Sequence, residues 1–382
     1  MSIGDLLPVS FFEVAFLATW LLLPVLVWRA DVEAYVFGLI VIYMCIRTIR
    51  RRRRTLLPVT GKAVLVSGCD SGFGHMVAKK LDDLGYKVFA GCLSVDGPGA
   101  ATLKESSSAN FHIVHLDVTS DISVREVGQY VRDNIGDAKL WALVNNAGVY
   151  GHGDVELCSL ETYQRLTDVN LFGMIRVTQE LLPLLRQSQG RVVTMSSING
   201  RFPWPSTSAY NATKYGLECV SDCLRLEMTK FGVRVALVEP AMFGGSTDIH
   251  SPQNVDRHYK AIDTQLEGSR PEVKETYTRE YMRTQIDTII HLKKRLNAKS
   301  PDAVIDAVVD AVSSSEPQYR YVVHGGPFQI DPLAVFGQIY PYLPEWLSDW
   351  MICRATGHNS LQMLGGDAFG HPGPESVGQK QE

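Results

Sequence analysis

The sequence predicts an α/β protein, a doubly wound parallel sheet preceded by amino-terminal membrane helices and followed by a carboxy-terminal helical lid. Three observations predict it. Short apolar β-runs alternate with amphipathic helical stretches from Lys62 to Glu239. The first 54 residues hold two apolar runs closed by the cluster Arg50 to Arg54. Beyond Pro240 the alternation stops, and a polar, helix-patterned stretch of mixed charge follows.

Leu6 to Trp28 is apolar over about the length that crosses a bilayer. A polar break, Arg29 to Glu33, separates it from Ala34 to Ile46, which is short for a full span. A helical hairpin, or one span plus an interfacial helix, fits this pattern. No small-residue cleavage site is obvious, which disfavours a removed signal peptide. Residues 1–54 thus read as a membrane anchor whose arginines stay cytoplasmic, together with everything after them.

Thr55 to Gly61 is a linker. Strands are then expected at Ala63 to Ser67, Lys87 to Cys92, Phe111 to Leu116, Leu140 to Asn145, Arg191 to Ser196 and Val233 to Glu239. Between them, Gly74 to Leu84 reads as a helix with Val77, Ala78 and Leu81 inward. Val124 to Ile135, Leu160 to Leu185 and Ala209 to Lys230 are also helical. Such alternation buries both faces of a parallel sheet under helices, with right-handed crossovers. Residues 245–298 form the lid, Ser300-Pro301-Asp302 opens a helix through Val312, and Tyr319 to Val323 is a seventh strand. The main body therefore spans 60–325, an apolar extension 326–364, and a Gly/Pro/polar tail, expected to be disordered, 365–382.

Residues 1–54 hold seven basic and four acidic side chains, which leaves a net −7 for the remainder of a chain with formal charge −4. A body that acidic is a poor partner for nucleic acid. The seven cysteines include no Cys-x-x-Cys pair and read as buried free thiols in a reducing compartment, with Cys219 and Cys223 on one helix face. No metal site is expected.

Ser67-Gly68-Cys69-Asp70-Ser71-Gly72-Phe73-Gly74 follows the first strand and opens the first helix, the context a dinucleotide loop needs. Gly68 permits a tight turn, Gly72 lets the backbone approach a pyrophosphate, and Gly74 allows close helix–sheet packing. The helix start offers free N–H groups to phosphate. Asn145-Asn146-Ala147-Gly148 ends the fourth strand, where ligands of such sheets bind. Asp117 could accept from an adenine amino group or cap the next helix. No base ends the second strand or precedes Gly72, and Asp70 would repel a 2′-phosphate, so NAD is favoured over NADP.

Tyr210 and Lys214 are spaced i,i+4 at the start of a predicted helix, with Ser197 thirteen residues earlier at a strand end and Asn170 in the preceding helix. A tyrosine acts as a base near neutrality only if its pKa falls about three units from about 10. A nearby ammonium and a positive nicotinamide ring supply that kind of stabilisation. Ser197 would hold the substrate oxygen, Lys214 would also reach the nicotinamide ribose, and Asn170 would hold a water linking Lys214 to solvent.

Together these motifs resemble the short-chain dehydrogenase/reductase family, with its Rossmann-type sheet, over about residues 60–325. The resemblance implies Asn170, Ser197, Tyr210 and Lys214 as the catalytic set. It implies cofactor contacts at Gly68, Ser71, Gly72, Phe73, Gly74, Asp117, Asn145, Ala147, Gly148, Tyr210, Lys214 and Pro240. Gly68 to His75 and Val88 to Leu93 are similar to the branch of retinol dehydrogenases, type 2 17β- and 11β-hydroxysteroid dehydrogenases and D-β-hydroxybutyrate dehydrogenase, which mostly prefers NAD. Pro240-Ala241 departs from the family's Pro-Gly, which puts residues 241–247 in question as cofactor contacts.

Tyr150, Phe202 and Trp204 are expected to line an apolar pocket under the lid, suited to a lipophilic substrate such as a steroid or retinoid. Arg201 is the residue that could instead receive a carboxylate, although an exposed salt bridge is its favoured role. The expected location is the endoplasmic reticulum membrane with the catalytic body cytosolic, the alternative a mitochondrial membrane; a homodimer is left open. The sequon Asn211-Ala212-Thr213 lies between Tyr210 and Lys214, where a glycan would block catalysis, in keeping with a cytosolic body. The rival readings are a D-3-hydroxybutyrate dehydrogenase-like enzyme and a non-catalytic nucleotide-binding scaffold.

Overall fold

The computed structural model describes residues 36–43, 45, 55–244, 252–296, 298, 300–325 and 331–356. Contacts divide the chain into two units, Met1–Thr55 and Leu56–Glu382. In the first, residues 36–43 are helical. The apolar run Leu6 to Trp28, the arginine cluster and the 365–382 tail lie outside the described residues. Among the described residues, no helix is long and apolar enough to cross a membrane.

The second unit is a seven-stranded parallel sheet: β1 (Lys62–Ser67), β2 (Lys87–Cys92), β3 (Phe111–His115), β4 (Lys139–Asn145), β5 (Arg191–Met195), β6 (Arg234–Pro240) and β7 (Arg320–Val323). Its order is β3-β2-β1-β4-β5-β6-β7, every pair parallel. Strands buried on both faces need near-continuous apolar runs, and β1 has one. Side chains alternate between faces. Val64 and Val66 meet α1 (Gly72–Asp83), α2 (Pro98–Ser106) and α10 (Asp302–Ser313) on one side. Ala63 and Leu65 meet α3 (Asp121–Asn134) and α5 (Gly173–Ser188) on the other. Val77, Ala78 and Leu81 face inward from α1.

Two elements differ from the sequence expectation. Helix α2 was not anticipated. It is short, and its Pro98-Gly99 start reads locally as a turn. The single long helix expected from Leu160 is broken: α4 (Leu160–Thr167) passes through one π-helical turn, Asp168–Phe172, into α5. A π turn inserts one residue per turn and re-aims the side chains it carries; Asn170 is among them.

After β6 come α7 (Pro252–Gly268), α8 (Pro271–Thr276) and α9 (Arg279–Leu296), which share a small core of Leu157, Ile262, Val273, Tyr281, Met282 and Ile286. The chain ends, as described, with α11 (Pro332–Ile339) and α12 (Glu345–Thr356). Phe202 and Trp204 pack with Phe336 and Ile352 of these last helices. Phe202 is therefore spent on holding the extension to the body, whereas Trp204 also lines a cavity of about 560 Å³ with Pro203, Pro205, Asn211 and Ile352. The thiols also need a correction. Cys69, Cys92 and Cys158 are buried, but Cys219 and Cys223 lie exposed on α6 (Ser208–Met228).

Candidate active site

The winding of the sheet reverses between β1 and β4, and the loops beyond those strands make a crevice. Gly68 and Gly72 both take left-handed φ, +71° and +62°. A Cβ on Gly74 would stand 2.2 Å from the Gly68 carbonyl oxygen and 2.3 Å from the Asn146 amide nitrogen. The loop is thus seated backbone against backbone. Ser67 Oγ accepts from the N–H groups of Asn146 (3.0 Å) and Ala147 (3.1 Å). Asn146 Nδ2 returns two 3.0 Å bonds to the carbonyls of Ser67 and Gly68. The Ser71 hydroxyl at the N-cap of α1 does not cap the helix, so its first amides can take a phosphate. Phe73 stands edge-on to Phe243, with centroids 6.1 Å apart.

The two strand-end amides do different work. Asn145 was expected at the cofactor, but its Nδ2 turns away to Thr178 Oγ1 of α5 (2.9 Å). Asn146 is the residue that grips the glycine loop. Gly148, by contrast, is exposed at the crevice. Asp117 Oδ1 accepts from Thr119 N (2.9 Å) and Oγ1 (2.7 Å), and these bonds hold its carboxyl below the ordinary range. Ser120, not Asp117, caps α3. Asp70 accepts from the N–H groups of Leu93 and Ser94, each at 2.9 Å, which fixes a carboxylate at the end of β2.

Ser197, Tyr210 and Lys214 converge beside this crevice. Ser197 begins the 3-10 turn Ile198–Gly200 after β5, accepts from Asn199 N and hydrogen-bonds the Tyr210 phenol. Lys214 Nζ lies 5.5 Å from the Tyr210 ring centroid and donates to the Met195 carbonyl at 2.9 Å. Asn170 clamps two elements: Nδ2 donates to Val149 O (2.9 Å) and Thr213 Oγ1 (3.0 Å), and Oδ1 accepts from Val149 N (2.7 Å). Both amide hydrogens are engaged, so the expected water-holding role is reduced to one Oδ1 lone pair. Pro240 closes β6, and Ala241 N donates to Val323 O (3.0 Å). Among the described non-glycine residues only Gln189 and Ser206 take positive φ, so Ala241 replaces the glycine without strain.

Burial pushes the Tyr210 phenol up to about 12, against the opposing pull of Ser197. Burial also lowers Lys214 to about 8, opposed by Glu218. The protein alone therefore does not make the phenol acidic. Bringing it from about 12 to neutrality requires about 7 kcal/mol, at 1.36 per unit. A positive charge beside the ring, such as that of an oxidised nicotinamide, would lower it.

Tyr150 faces Tyr210 edge-on at 4.7 Å, and His152 and His258 stand edge-on to Tyr150 at 4.7 and 5.7 Å. His258 belongs to α7, so the segment after β6 does cover the tyrosine. The histidines were not singled out from the sequence, where nothing in their spacing marks them. Arg201 lies 3.6 Å from the buried Glu239 carboxylate, not in the pocket. The sequon Asn211 is buried and bonded to Trp204 O.

Residues 62–258 match the family model described as short chain dehydrogenase. The chain belongs to the short-chain dehydrogenase family. It is 40% identical over 269 residues to mitochondrial D-beta-hydroxybutyrate dehydrogenase of Mus musculus, covering 69% of this chain and 76% of that one. It is 42% identical over 270 residues to estradiol 17-beta-dehydrogenase 2 of Mus musculus, covering 70% and 69%. A short-chain dehydrogenase from Streptomyces avermitilis shares the fold, with TM-score 0.55 and 22% identity over 80% of this chain and 100% of that one. As a member of this family, the chain is an oxidoreductase acting on CH–OH groups.

Proposed function

We propose that this short-chain dehydrogenase oxidises or reduces a lipophilic hydroxysteroid or retinoid with NAD, with Tyr210 as the proton-transfer residue. The observation that carries it is the buried Tyr210 phenol, hydrogen-bonded by Ser197 and flanked by the Lys214 ammonium, beside a glycine loop no side chain could enter. When bound, an oxidised nicotinamide would place a positive charge near the phenol and would supply the hydride acceptor. Gly72, Gly74 and the α1 amides would hold its pyrophosphate, and Lys214 its ribose. Ser197 orients the substrate oxygen, Tyr210 takes the hydroxyl proton, and Lys214 stabilises the phenolate. NAD is supported by Asp70, whose carboxylate at the end of β2 opposes a 2′-phosphate.

The substrate class is supported by the aromatic wall of Tyr150 and by the engagement of Arg201 with Glu239, which removes the arginine a small hydroxy acid would need. Similarity to a hydroxybutyrate dehydrogenase keeps that acid as the second reading. Membrane association, at the endoplasmic reticulum or else the mitochondrion, belongs to the same proposal. Trp346 and Trp350, exposed one turn apart on α12, are the amphipathic kind of residue found at bilayer interfaces. A homodimer is tested by sedimentation of the solubilised protein. The deciding experiment offers the purified protein steroids, retinol and hydroxybutyrate with NAD or NADP, beside Tyr210→Phe. Turnover of steroid or retinol that vanishes in the variant supports the reading. Hydroxybutyrate turnover alone favours the second, and no turnover with any of them returns the chain to a nucleotide-binding scaffold.

A further inference from the structure

We propose that Glu218 is a positioning residue for Lys214: its carboxylate, one helical turn along α6, keeps the buried ammonium charged, and Arg320 sets how much of that field the lysine receives. The inference rests on the dehydrogenase reading and extends it to a residue outside the tyrosine–lysine–serine set.

Lys214 and Glu218 are spaced i,i+4 on α6, and both are buried. The contact made by the ammonium is a neutral one, the Met195 carbonyl at 2.9 Å. A buried ammonium without a countercharge loses its proton. Glu218 opposes that loss. Its Oε2 is bound by Arg320 Nη1, while its buried Oε1 has no hydrogen-bond partner. Gly200 completes the arrangement. A Cβ there would lie 2.9 Å from Glu218 Cγ and 3.1 Å from the Lys214 carbonyl oxygen. The turn that carries Ser197 is therefore seated directly on the Lys214–Glu218 turn.

Every charged neighbour of Glu218 can be named. Lys214 and Asp222 lie on its own helix, Arg320 reaches it from β7, and Glu239 faces it from β6. Arg201, from the turn after β5, stands beyond Glu239. Arg320 also binds Asp222, and Glu239 at 2.7 Å. Arg225 in turn pairs Asp222 at 3.2 Å. Removing the Glu218 charge takes a negative neighbour from Lys214 and leaves Arg320 without one of its carboxylates. A cluster that only fastened β7 to α6 would need Asp222 and Arg320, but not a carboxylate oxygen left unengaged one turn from the lysine.

The test is Glu218→Gln, which keeps the side chain's size. In the wild type, activity is expected to fall at alkaline pH as Lys214 loses its proton. The variant's alkaline limb is expected about one pH unit lower. A second readout needs no activity: the pH dependence of Lys214 acetylation by acetic anhydride, followed by peptide mass spectrometry, shifts down equally. Glu218→Asp keeps a charge but draws it back, and falls between wild type and Gln in both measurements. Asp222→Asn shares Arg320 yet sits two turns from Lys214, and keeps the wild-type curves. The inference is overturned if folded Glu218→Gln retains the wild-type limb and labelling curve, or if Asp222→Asn moves them as far. Should the Gln variant not fold, an unshifted labelling curve in Glu218→Asp overturns it. A wild type that turns over no alcohol defeats the dehydrogenase reading, while the labelling curves still judge Glu218.

Discussion

At the β1–β4 end of the sheet, the site is assembled from backbone. Gly68 lies against Ala147, Gly74 against the Gly68 carbonyl, and Ser67 and Asn146 stitch the two strand ends through main-chain atoms. At the β5–β7 end, it is assembled from ionised side chains. Arg320 gathers Glu218, Asp222 and Glu239, with Lys214 one turn away. The first kind of construction has no room for an added methyl group at Gly68 or Gly74. The second depends on charge, because Glu218 and Glu239 are buried carboxylates that Arg320 compensates. On the proposed reading, the first end would hold a cofactor, which wants fixed geometry, and the second would serve proton transfer, which wants adjustable protonation.

The largest effect expected is at Tyr210. Tyr210→Phe removes the proton acceptor and should lower kcat by about 10²–10⁴-fold. NADH binding, followed by nicotinamide fluorescence, should persist, because the glycine loop is untouched. Parallel loss of binding would mean that the two ends are not separable.

Gly74→Ala probes the opposite end. The new Cβ meets backbone at 2.2 Å, which cannot move aside as a flexible side chain would. Overpacking of this kind costs about 1–3 kcal/mol, and the displaced loop should weaken NADH binding by about tenfold or more. Thermal unfolding and fluorescence titration measure the two together. An unchanged affinity would show that the loop is more plastic than its contacts imply.

Asp70→Asn is milder. One charge leaves the end of β2 while an amide oxygen can still accept from Leu93 or Ser94. The ratio of NADP to NAD use should rise by about tenfold, the effect of relieving one like-charge contact of about 1.4 kcal/mol. No change in that ratio would remove Asp70 as the basis of cofactor choice.

The backbone-built end was the readable one. Its glycines are spaced in consecutive sequence, and β1 to β6 announce themselves as apolar runs between turn residues. What could not be read locally was which of Asn145 and Asn146 faces the loop, since neighbouring strand residues differ only in the face they take. The charged end was less visible. Glu218 and Arg320 meet across 102 positions of sequence, so no window contains both. The i,i+4 spacing of Glu218 from Lys214 was nonetheless a usable signal. The burial that raises the Tyr210 pKa leaves no mark on the motif Tyr210-Asn211-Ala212-Thr213-Lys214.

The subtlest contrast between the two ends lies in pH. Glu239 is fully buried on β6, and burial together with Glu218 raises its carboxyl from the ordinary 4.5 to about 7, in spite of Arg320 and Arg201. A folded chain that keeps this proton up to about 7 binds more protons than the unfolded chain between about 4.5 and 7. Stability then falls as pH rises through that window, and the group contributes no slope on either side of it. Glu239→Gln carries a permanent neutral group and lacks the slope. Wild type should therefore lose thermal stability relative to Glu239→Gln as pH climbs from about 4.5 to about 7, whereas Gly74→Ala should differ from wild type by the same amount throughout. A Glu239→Gln difference that stays flat over the window would mean that the two arginines hold this carboxylate ionised, and the two ends would then be equally indifferent to pH.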